Sequence, residues 1–300
     1  MEIFPIILLL ETITGLSSTI FIITCLSFTG FQKPNFATLN RILISLNTNN
    51  LLYTIFMSAY LLISNLWPYF YSNGFVFYFI STMSLYTITS AAWLTGTLCF
   101  FYFMKIIPSQ PGVLTKIKSR ISAIVWRLIL MAEIVSVFGS FLSTLLSPPN
   151  LNGKNTTMNF ESMVEKRSRR LKFTSIILIL NCLPFVLIIA MTSTSAWFLR
   201  WYNCQIRKNS GTLANTNVKD YQTAVQTMTG LLILYLLVII SAICFALEIF
   251  ADGSEEFWIC AMALLSFPTG QSALLIYSNP KLRQILNKLI IFLTCTDSEE

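Results

Sequence analysis

The side chains that could carry chemistry in this chain are amides, hydroxyls, thiols and a few carboxylic acids. No histidine occurs among the 300 residues, so the chain lacks the usual acid–base group and the commonest metal ligand. It also lacks a G-x-S-x-G sequence and paired aspartates. The sequence therefore predicts a protein that is not an enzyme and holds neither a metal ion nor a cofactor.

The most informative polar group interrupts an apolar run, FPTGQSALLIYS, at 267–278. Gln271 and Ser272 offer hydrogen-bond donors and acceptors, and Gly270 leaves room for a neighbouring helix to approach closely. If the run lies in lipid, these groups must find partners inside the protein. The natural partners are the asparagines of another apolar run, Asn47, Asn49 and Asn50. This pattern fits either adhesion between two helices or a network that rearranges on activation.

The amino-acid composition and the apolar runs predict the helices that position these residues. Hydrophobic residues make up 55% of the chain and charged residues 11%, with a mean hydropathy of +0.68, which is far from a soluble domain. A membrane-spanning helix needs about 20 mostly apolar residues. Such runs lie at about 5–29, 42–64, 75–104, 121–147, 173–199, 224–250 and 257–278. We therefore expect an all-α membrane protein, a seven-transmembrane helix bundle that forms one domain over 1–300.

The chain after the last apolar run should form a further short helix. Pro280 removes a backbone donor and ends the span. The residues that follow, KLRQILNKLIIFL, alternate basic and apolar side chains at helical spacing. This pattern predicts an amphipathic helix at about 281–293 that lies on the membrane surface and contacts lipid headgroups.

The distribution of basic residues predicts the orientation, because Lys and Arg concentrate in cytoplasmic loops. Four of the five basic segments face the cytoplasm if the N-terminus is extracellular and the C-terminus cytoplasmic. The fifth, between spans four and five, contains Asn155-Thr156-Thr157, a glycosylation acceptor that belongs outside. We therefore expect a multi-pass plasma-membrane protein with glycosylated Asn155. Its net charge of +7 suits anionic lipid and an acidic cytosolic partner, not nucleic acid.

The cysteines predict no disulfide framework. No cysteine lies in the long loop at 147–172, and buried thiols within spans are by default free. All seven lie within spans or at their inner ends: Cys25, Cys99, Cys182, Cys204, Cys244, Cys260 and Cys295.

Seven spans with an extracellular N-terminus suggest a G-protein-coupled receptor. Two further segments, PTGQSALLIYSNPKLRQ at 268–284 and FYFMKI at 101–106, resemble motifs of the bitter taste receptors, the taste receptor type 2 family. The segment PTGQSALLIYSNPKLRQ at 268–284 closely resembles the end of that family's seventh helix. The segment FYFMKI at 101–106, preceded by Trp93 and Leu98, is similar to the end of its third helix. Leu183-Pro184-Phe185 resembles its fifth helix. Tyr202 and Gln271 replace family histidines and Asn49 replaces a family arginine, which indicates a divergent member.

This resemblance implies a receptor for bitter small molecules that activates a heterotrimeric G protein of the inhibitory or gustducin type. It implies a polar activation network inside the bundle, formed by Glu11, Asn49, Gln271 and Ser272. It also implies a set of residues at the inner face that couple to the G protein: Tyr102, Lys105, Arg120, Tyr202, Arg207, Lys219 and Lys281.

The ligand site is expected in the outer half of the bundle, as an apolar cavity with a few polar anchors. Helical spacing places Ser84, Thr87, Ile88 and Ala91 on one face of the third span, and family analogy makes that face line the pocket. The other predicted lining residues are Tyr60, Asn65 and Trp67 of the second span and Ala261 and Leu264 of the seventh. Trp67 also fits an interfacial aromatic belt.

Two other membrane proteins remain as alternatives. A type 1 vomeronasal receptor has a similar architecture, but NPKLRQ at 279–284 and FYFMKI at 101–106 argue against it. A small transporter is expected to show paired broken helices in two related halves, and the sequence contains no such repeat.

Overall fold

The structure is a computed structural model that describes residues 3–30, 37–66, 74–107, 116, 120–146, 160–208, 215–247, 249–250 and 254–296. Within these ranges the chain forms eight helices, which we number in chain order. They are α1 (Ile3–Gly30), α2 (Ala37–Leu66), α3 (Gly74–Ile106), α4 (Ile121–Leu146), α5 (Phe160–Lys208), α6 (Asn215–Ala246), α7 (Glu255–Ser278) and α8 (Pro280–Thr296). Helices α1 to α7 pack as a bundle, which confirms the predicted fold class.

Among the described residues, six helices are long and apolar enough to cross a membrane: α1 and α3 to α7. Helix α2 is long enough, at 30 residues, but its asparagines lower its hydropathy. Asn47, Asn49 and Asn50 are all buried, and α2 packs against α1, α3 and α7. The polarity of α2 is therefore directed into the bundle, where protein and not lipid surrounds it.

The outer surface of the bundle is apolar, as expected for a protein whose solvent is lipid. Phe138 of α4 is 70% exposed and Trp197 of α5 is 68% exposed. The interior, in contrast, contains many buried hydroxyl and amide side chains, among them Thr95, Ser136 and Gln271. Such groups must be satisfied internally, so the arrangement favours an intramembrane bundle.

Helix α5 departs most from the predicted span. It runs for 49 residues, whereas the sequence predicted a span at 173–199. The additional N-terminal turns include the basic segment KRSRRLK at 166–172, which is too polar to be read as part of a span. The apolar pattern therefore located the span but not the full length of the helix.

The break between α7 and α8 has a local cause. Asn279 has an extended backbone, with φ −105° and ψ 105°, and its Oδ1 accepts a hydrogen bond from the Lys281 backbone N–H at 3.1 Å. Asn279 thereby caps α8, while Pro280 takes the first helical position, where no N–H is needed. The predicted amphipathic helix is confirmed as α8, and its Leu282 is buried against the bundle.

Helices α6 and α7 approach closely through two glycines. A Cβ on Gly230 would lie 2.9 Å from Leu274 Cδ1, and a Cβ on Gly270 would lie 3.0 Å from Leu234 Cδ2. Each helix thus presents a leucine to a glycine of the other. The close approach that the sequence indicated at Gly270 is made by α6.

Candidate functional site

A chain of buried hydrogen bonds joins three helices at the centre of the bundle. Asn50 Nδ2 of α2 donates to Gln271 Oε1 of α7 at 2.7 Å. Gln271 Nε2 donates to Thr95 Oγ1 of α3 at 3.0 Å, and Thr95 Oγ1 donates to the Ala91 carbonyl at 2.6 Å. We call Asn50, Gln271 and Thr95 the central triad. It fixes α2, α3 and α7 relative to one another.

The other polar residues predicted to join this network have hydrogen-bond partners outside the central triad, or none among the described residues. Asn49 Nδ2 donates to the Thr87 carbonyl of α3 at 3.0 Å, and Asn47 Nδ2 donates to Leu43 of its own helix at 2.8 Å. Within the part of the chain that the structure describes, Ser272 Oγ and Glu11 Oε2 are buried without a hydrogen-bond partner. Gln271 is therefore hydrogen-bonded to Asn50 and Thr95, and among the described residues it forms no such bond with Asn49, Glu11 or Ser272.

A second contact ties α2 to α7 at a proline. In an α-helix the N–H of residue 268 would donate to the carbonyl of Leu264. Pro268 has no N–H, so this carbonyl has no donor within the helix. The buried Tyr53 of α2 donates its hydroxyl to that carbonyl at 2.9 Å. Sequence reasoning did not identify Tyr53 or Thr95. For Tyr53 the available signal was a proline inside an apolar span, which implies a partner for the freed carbonyl.

The described residues predicted to bind ligand are mostly packed against neighbouring helices. Ser84 Oγ of α3 donates to the Phe56 carbonyl of α2 at 3.2 Å, and Thr87 Oγ1 donates to the Ser84 carbonyl at 2.9 Å. Ala91, Ala261 and Leu264 are buried in the core, and Tyr60 is partly buried against it. The side chain of Asn65 and all of Trp67 lie outside the described residues.

Ile88, another of the predicted ligand residues, borders a cleft. The cleft lies between α3, α5 and α6, and its volume of about 20 Å³ holds little more than one water molecule. Its walls are aliphatic except for Asn181, Cys182 and Tyr235. Tyr235 donates its hydroxyl to the carbonyl and to Oδ1 of Asn181, both at 3.2 Å. Sequence reasoning missed this polar pair, although Pro184 marked an irregularity in α5 three residues after Asn181.

A much larger cavity, of about 600 Å³, opens at the end of the bundle where α8 begins. We call it the α8-end cavity. Helices α1, α2, α3, α6, α7 and α8 all contribute to its wall. Three of the predicted coupling residues, Tyr102, Lys105 and Lys281, are among its lining residues. The structure thus brings these three together around one opening.

The remaining predicted coupling residues are more dispersed. Tyr202 of α5 stacks on Phe198 with ring centroids 6.1 Å apart and meets Tyr221 of α6 edge-on at 6.5 Å. Arg120 is exposed just before α4. The side chains of Arg207 and Lys219, like Asn155, lie outside the described residues.

Helix α4 carries a glutamate whose bonds are to α3. Tyr86 donates its hydroxyl to Glu133 Oε2 at 2.5 Å, and Ser90 donates to Glu133 Oε1 at 3.1 Å. Both carboxylate oxygens are therefore satisfied between two helices. This arrangement is typical of a polar contact that holds helices together in a membrane.

Comparison with known proteins points to one family. The sequence profile of the taste receptor protein family (TAS2R) matches residues 1–294. Taste receptor type 2 member 40 of Gallus gallus is 23% identical over 291 residues, covering 95% of this chain and 93% of its own. Taste receptor type 2 member 39 of Macaca mulatta is 24% identical over 295 residues, covering 94% and 85%. Taste receptor type 2 member 14 of Macaca mulatta is 23% identical over 292 residues, covering 94% and 89%.

Proposed function

Because the chain belongs to the taste receptor family, we propose that it is a plasma-membrane receptor that binds bitter small molecules and activates a heterotrimeric G protein of the inhibitory or gustducin type. A receptor of this kind needs an opening for the G protein at one end of the bundle. The observation that carries the proposal is the α8-end cavity, with Lys105, Lys281 and Arg283 in its wall.

The charge distribution supports a cytoplasmic position for this end. Among the described residues, the exposed basic side chains toward the α8 end of the bundle are Arg41, Lys105, Lys116, Arg120, Arg127, Arg200, Lys281, Arg283 and Lys288. The opposite end carries the exposed Glu255 and Glu256, where α7 begins, and the basic segment at 166–172 in the first turns of α5. Basic residues accumulate on the cytoplasmic side of membrane proteins, so the N-terminus is extracellular in the proposed orientation.

The size and charge of the α8-end cavity suit the end of a partner helix. One turn of an α-helix about 10 Å wide and 5.4 Å in pitch occupies roughly 420 Å³. The cavity volume is about 600 Å³, which can accept one such turn. Lys105 and Lys281 favour a partner with negative charge at that point, because complementary charge guides association and docking.

The chemistry of the cleft between α3, α5 and α6 indicates what agonists bind. Its lining contains no charged residue among those described, and its polar groups are those of Asn181, Cys182 and Tyr235. Uncharged, mainly apolar compounds with one or two hydrogen-bonding groups fit such walls best. Because the cleft is narrow, an agonist must separate α5 from α6 to enter. Binding then favours a different arrangement of these helices.

The proposal is tested by calcium release in cells that express the chain with a chimeric taste-type G protein. A chemically diverse panel of bitter compounds identifies agonists. Ala242→Phe fills the cleft from α6, and the matched control Ile240→Phe adds the same group to the lipid-facing side, where Ile240 is 51% exposed. We expect Ala242→Phe to weaken agonist potency about fivefold or more, as overpacking of about 1–3 kcal/mol implies.

The outcomes separate the receptor class from the site. Silence across the panel, with surface expression demonstrated, would contradict the receptor proposal. Equal losses in Ala242→Phe and Ile240→Phe would contradict the assignment of the cleft.

A further inference from the structure

The α8-end cavity is lined by three basic side chains. Lys105 comes from the last turn of α3, and Lys281 and Arg283 come from the first turn of α8. All three side chains are exposed, so a molecule in the cavity can reach them. Among the described residues, the wall contains no acidic side chain. The cavity therefore presents a local excess of positive charge to whatever occupies it.

Uncharged hydrogen-bond donors belong to the same wall. Asn40 of α2 has a side-chain amide, and Tyr102 of α3 and Tyr277 of α7 have phenolic hydroxyls. These three helices and α8 surround one space. An anion in the cavity can therefore be held by cations on two helices and by neutral donors on two others as well as α3.

The number of cations favours a phosphate group over a carboxylate. A phosphate monoester carries a charge of about −1.5 to −2 at pH 7 and three strong acceptor oxygens, whereas a carboxylate carries a single charge. The guanidinium of Arg283 presents its donors in a fork that matches phosphate oxygens, and lysine ammonium groups bind phosphate as point charges. The charges of the wall therefore match a phosphate monoester best.

The cavity also has room for the molecule that carries the phosphate. Its volume is about 600 Å³. A phosphate group has about five non-hydrogen atoms and, at about 30 Å³ for each water-sized atom, fills roughly 150 Å³. Leu26, Leu39 and Ile285 make part of the wall apolar. The remaining space can therefore hold a sugar, an inositol ring or a glycerol group.

We propose that the α8-end cavity binds a phosphate monoester through Lys105, Lys281 and Arg283, and that the bound phosphate opposes coupling to the G protein. Two sources present this chemistry: the headgroup of a phosphorylated phospholipid and a soluble phosphate ester. In the orientation proposed above the cavity opens to the cytoplasmic side, where basic groups attract anionic headgroups.

The regulatory part rests on the proposed function. Lys105 and Lys281 are also the cations that the cavity offers to an acidic partner helix. The same ammonium groups cannot bind the phosphate and the partner fully at one time. Binding of one therefore weakens binding of the other, and the effect is reciprocal.

Binding is tested on the purified full-length chain in nanodiscs of phosphatidylcholine, whose headgroup has no net charge. In the soluble arm, inorganic pyrophosphate is titrated at constant ionic strength and thermal unfolding is followed, with chloride as the control anion. In the lipid arm, part of the phosphatidylcholine is replaced by a phosphatidylinositol monophosphate or, at equal total lipid charge, by phosphatidylglycerol, which has no phosphate monoester. We expect at least one of the two probes to raise the melting temperature above its control, because a ligand of the folded state stabilises that state.

Substitutions separate the cavity from the rest of the basic surface. Lys105→Gln and Arg283→Gln each remove one positive charge from the wall. We expect each to weaken binding of the probe about tenfold or more, as loss of a hydrogen bond to a charged group implies. Arg283→Lys keeps the charge and should retain more of the affinity than Arg283→Gln. Lys288→Gln is the matched control, because Lys288 is exposed on α8 and does not belong to the lining residues.

Two results would overturn the site. One is that neither probe stabilises the original chain beyond its control. The other is that Lys288→Gln weakens binding as much as Arg283→Gln does, which would show a general attraction to the basic surface. Stabilisation by pyrophosphate alone supports a soluble phosphate ester, and stabilisation by the phosphorylated lipid alone supports a headgroup.

The regulatory consequence has its own readout. Nucleotide exchange on the purified G protein is measured with agonist-bound receptor, with and without the probe, and exchange without receptor corrects for direct effects of the probe. We expect the probe to raise the half-saturating G-protein concentration about threefold or more in the original chain, and less at the same probe concentration in Arg283→Gln. Unchanged exchange, with binding demonstrated, would overturn the regulatory role. The binding measurement needs neither agonist nor G protein, so failure of the receptor proposal is distinguishable from failure of the phosphate site.

Discussion

At the scale of single residues, the interior of the bundle is organised by the need to satisfy polar groups away from water. Tyr53 supplies the hydrogen bond that Pro268 denies to the Leu264 carbonyl. The central triad satisfies the Gln271 side chain from two helices at once. The net contribution of each such hydrogen bond to stability is modest. A buried polar group without a partner, in contrast, destabilises the fold by about 1–3 kcal/mol.

The first prediction concerns the carbonyl at the proline. Tyr53→Phe should lower the melting temperature of the purified receptor, because the Leu264 carbonyl then loses its donor. Pro268→Ala restores a backbone N–H that can bond the same carbonyl. We therefore expect Tyr53→Phe to cost about 1–3 kcal/mol in the original chain and clearly less in the Pro268→Ala background. An equal cost in both backgrounds would show that the hydroxyl does not serve this carbonyl.

The second prediction concerns the central triad. Asn50→Leu and Gln271→Leu should each lower thermal stability, because each leaves the other amide without its partner. In a double-mutant cycle we expect a coupling energy of about 0.6–2 kcal/mol. Asn47→Leu is the control, because Asn47 Nδ2 bonds only within α2. A coupling of Asn47 to Gln271 as large as that of Asn50 would contradict the observed pairing.

At the scale of elements, glycines decide how closely the helices approach. Gly230 and Gly270 accept leucines of the opposing helix at the α6–α7 interface, and Gly139 of α4 faces Leu180 of α5. A Cβ on Gly96 of α3, in contrast, would meet its nearest neighbour, Pro184 Cβ, at 3.9 Å, which is an ordinary contact. Helix packing here therefore depends on a few particular glycines.

The third prediction distinguishes these glycines. Gly230→Val should destabilise the receptor by about 1–3 kcal/mol, because its Cβ would lie 2.9 Å from Leu274 Cδ1. Gly96→Ala should be neutral or stabilising, since alanine favours the helix. Leu274→Ala should recover part of the loss in Gly230→Val. Thermal unfolding of the purified variants measures all three, and the same loss for Gly96→Ala would refute the distinction.

At the scale of the whole molecule, the bundle has two ends of different character. The α8 end carries the large cavity and a ring of exposed basic side chains from the ends of several helices. The opposite end carries Glu255 and Glu256, the basic segment of α5 at 166–172 and the neighbouring wall of the narrow cleft. The central triad and the α6–α7 interface both lie between these ends.

The fourth prediction tests the division between the two ends. Ala224 is buried in the wall of the α8-end cavity, so Ala224→Trp should reduce the space available to a partner helix. We expect agonist-stimulated nucleotide exchange on the G protein to fall about tenfold or more, as loss of a well-packed contact implies, while agonist binding is retained. Gln222→Trp is the matched control, because Gln222 is exposed on the same turn of α6. Unchanged exchange in Ala224→Trp would place the coupling surface elsewhere.

The sequence by itself determined the membrane fold and its family. Hydropathy is summed along the chain, so the apolar runs located the spans without knowledge of their packing. The transition from α7 to α8 was equally readable, because Asn279 and Pro280 act on the backbone beside them. The motifs at 268–284 and 101–106 carried a family resemblance that the profile match over 1–294 confirmed.

Only the tertiary structure decided which side chains meet. Asn47, Asn49 and Asn50 are close in sequence but differ in position on α2. Asn49 is rotated by about 100° from Asn50, and Asn47 lies about one turn earlier on the face of Asn50. Packing of the whole bundle sets the rotation of α2 about its axis. In that rotation it is Asn50 that donates a hydrogen bond to Gln271. In the same way, the register of α6 against α7 brings Leu274 to Gly230 and Leu234 to Gly270. Both pairings depend on contacts between distant parts of the chain, which a pattern read along one helix does not contain.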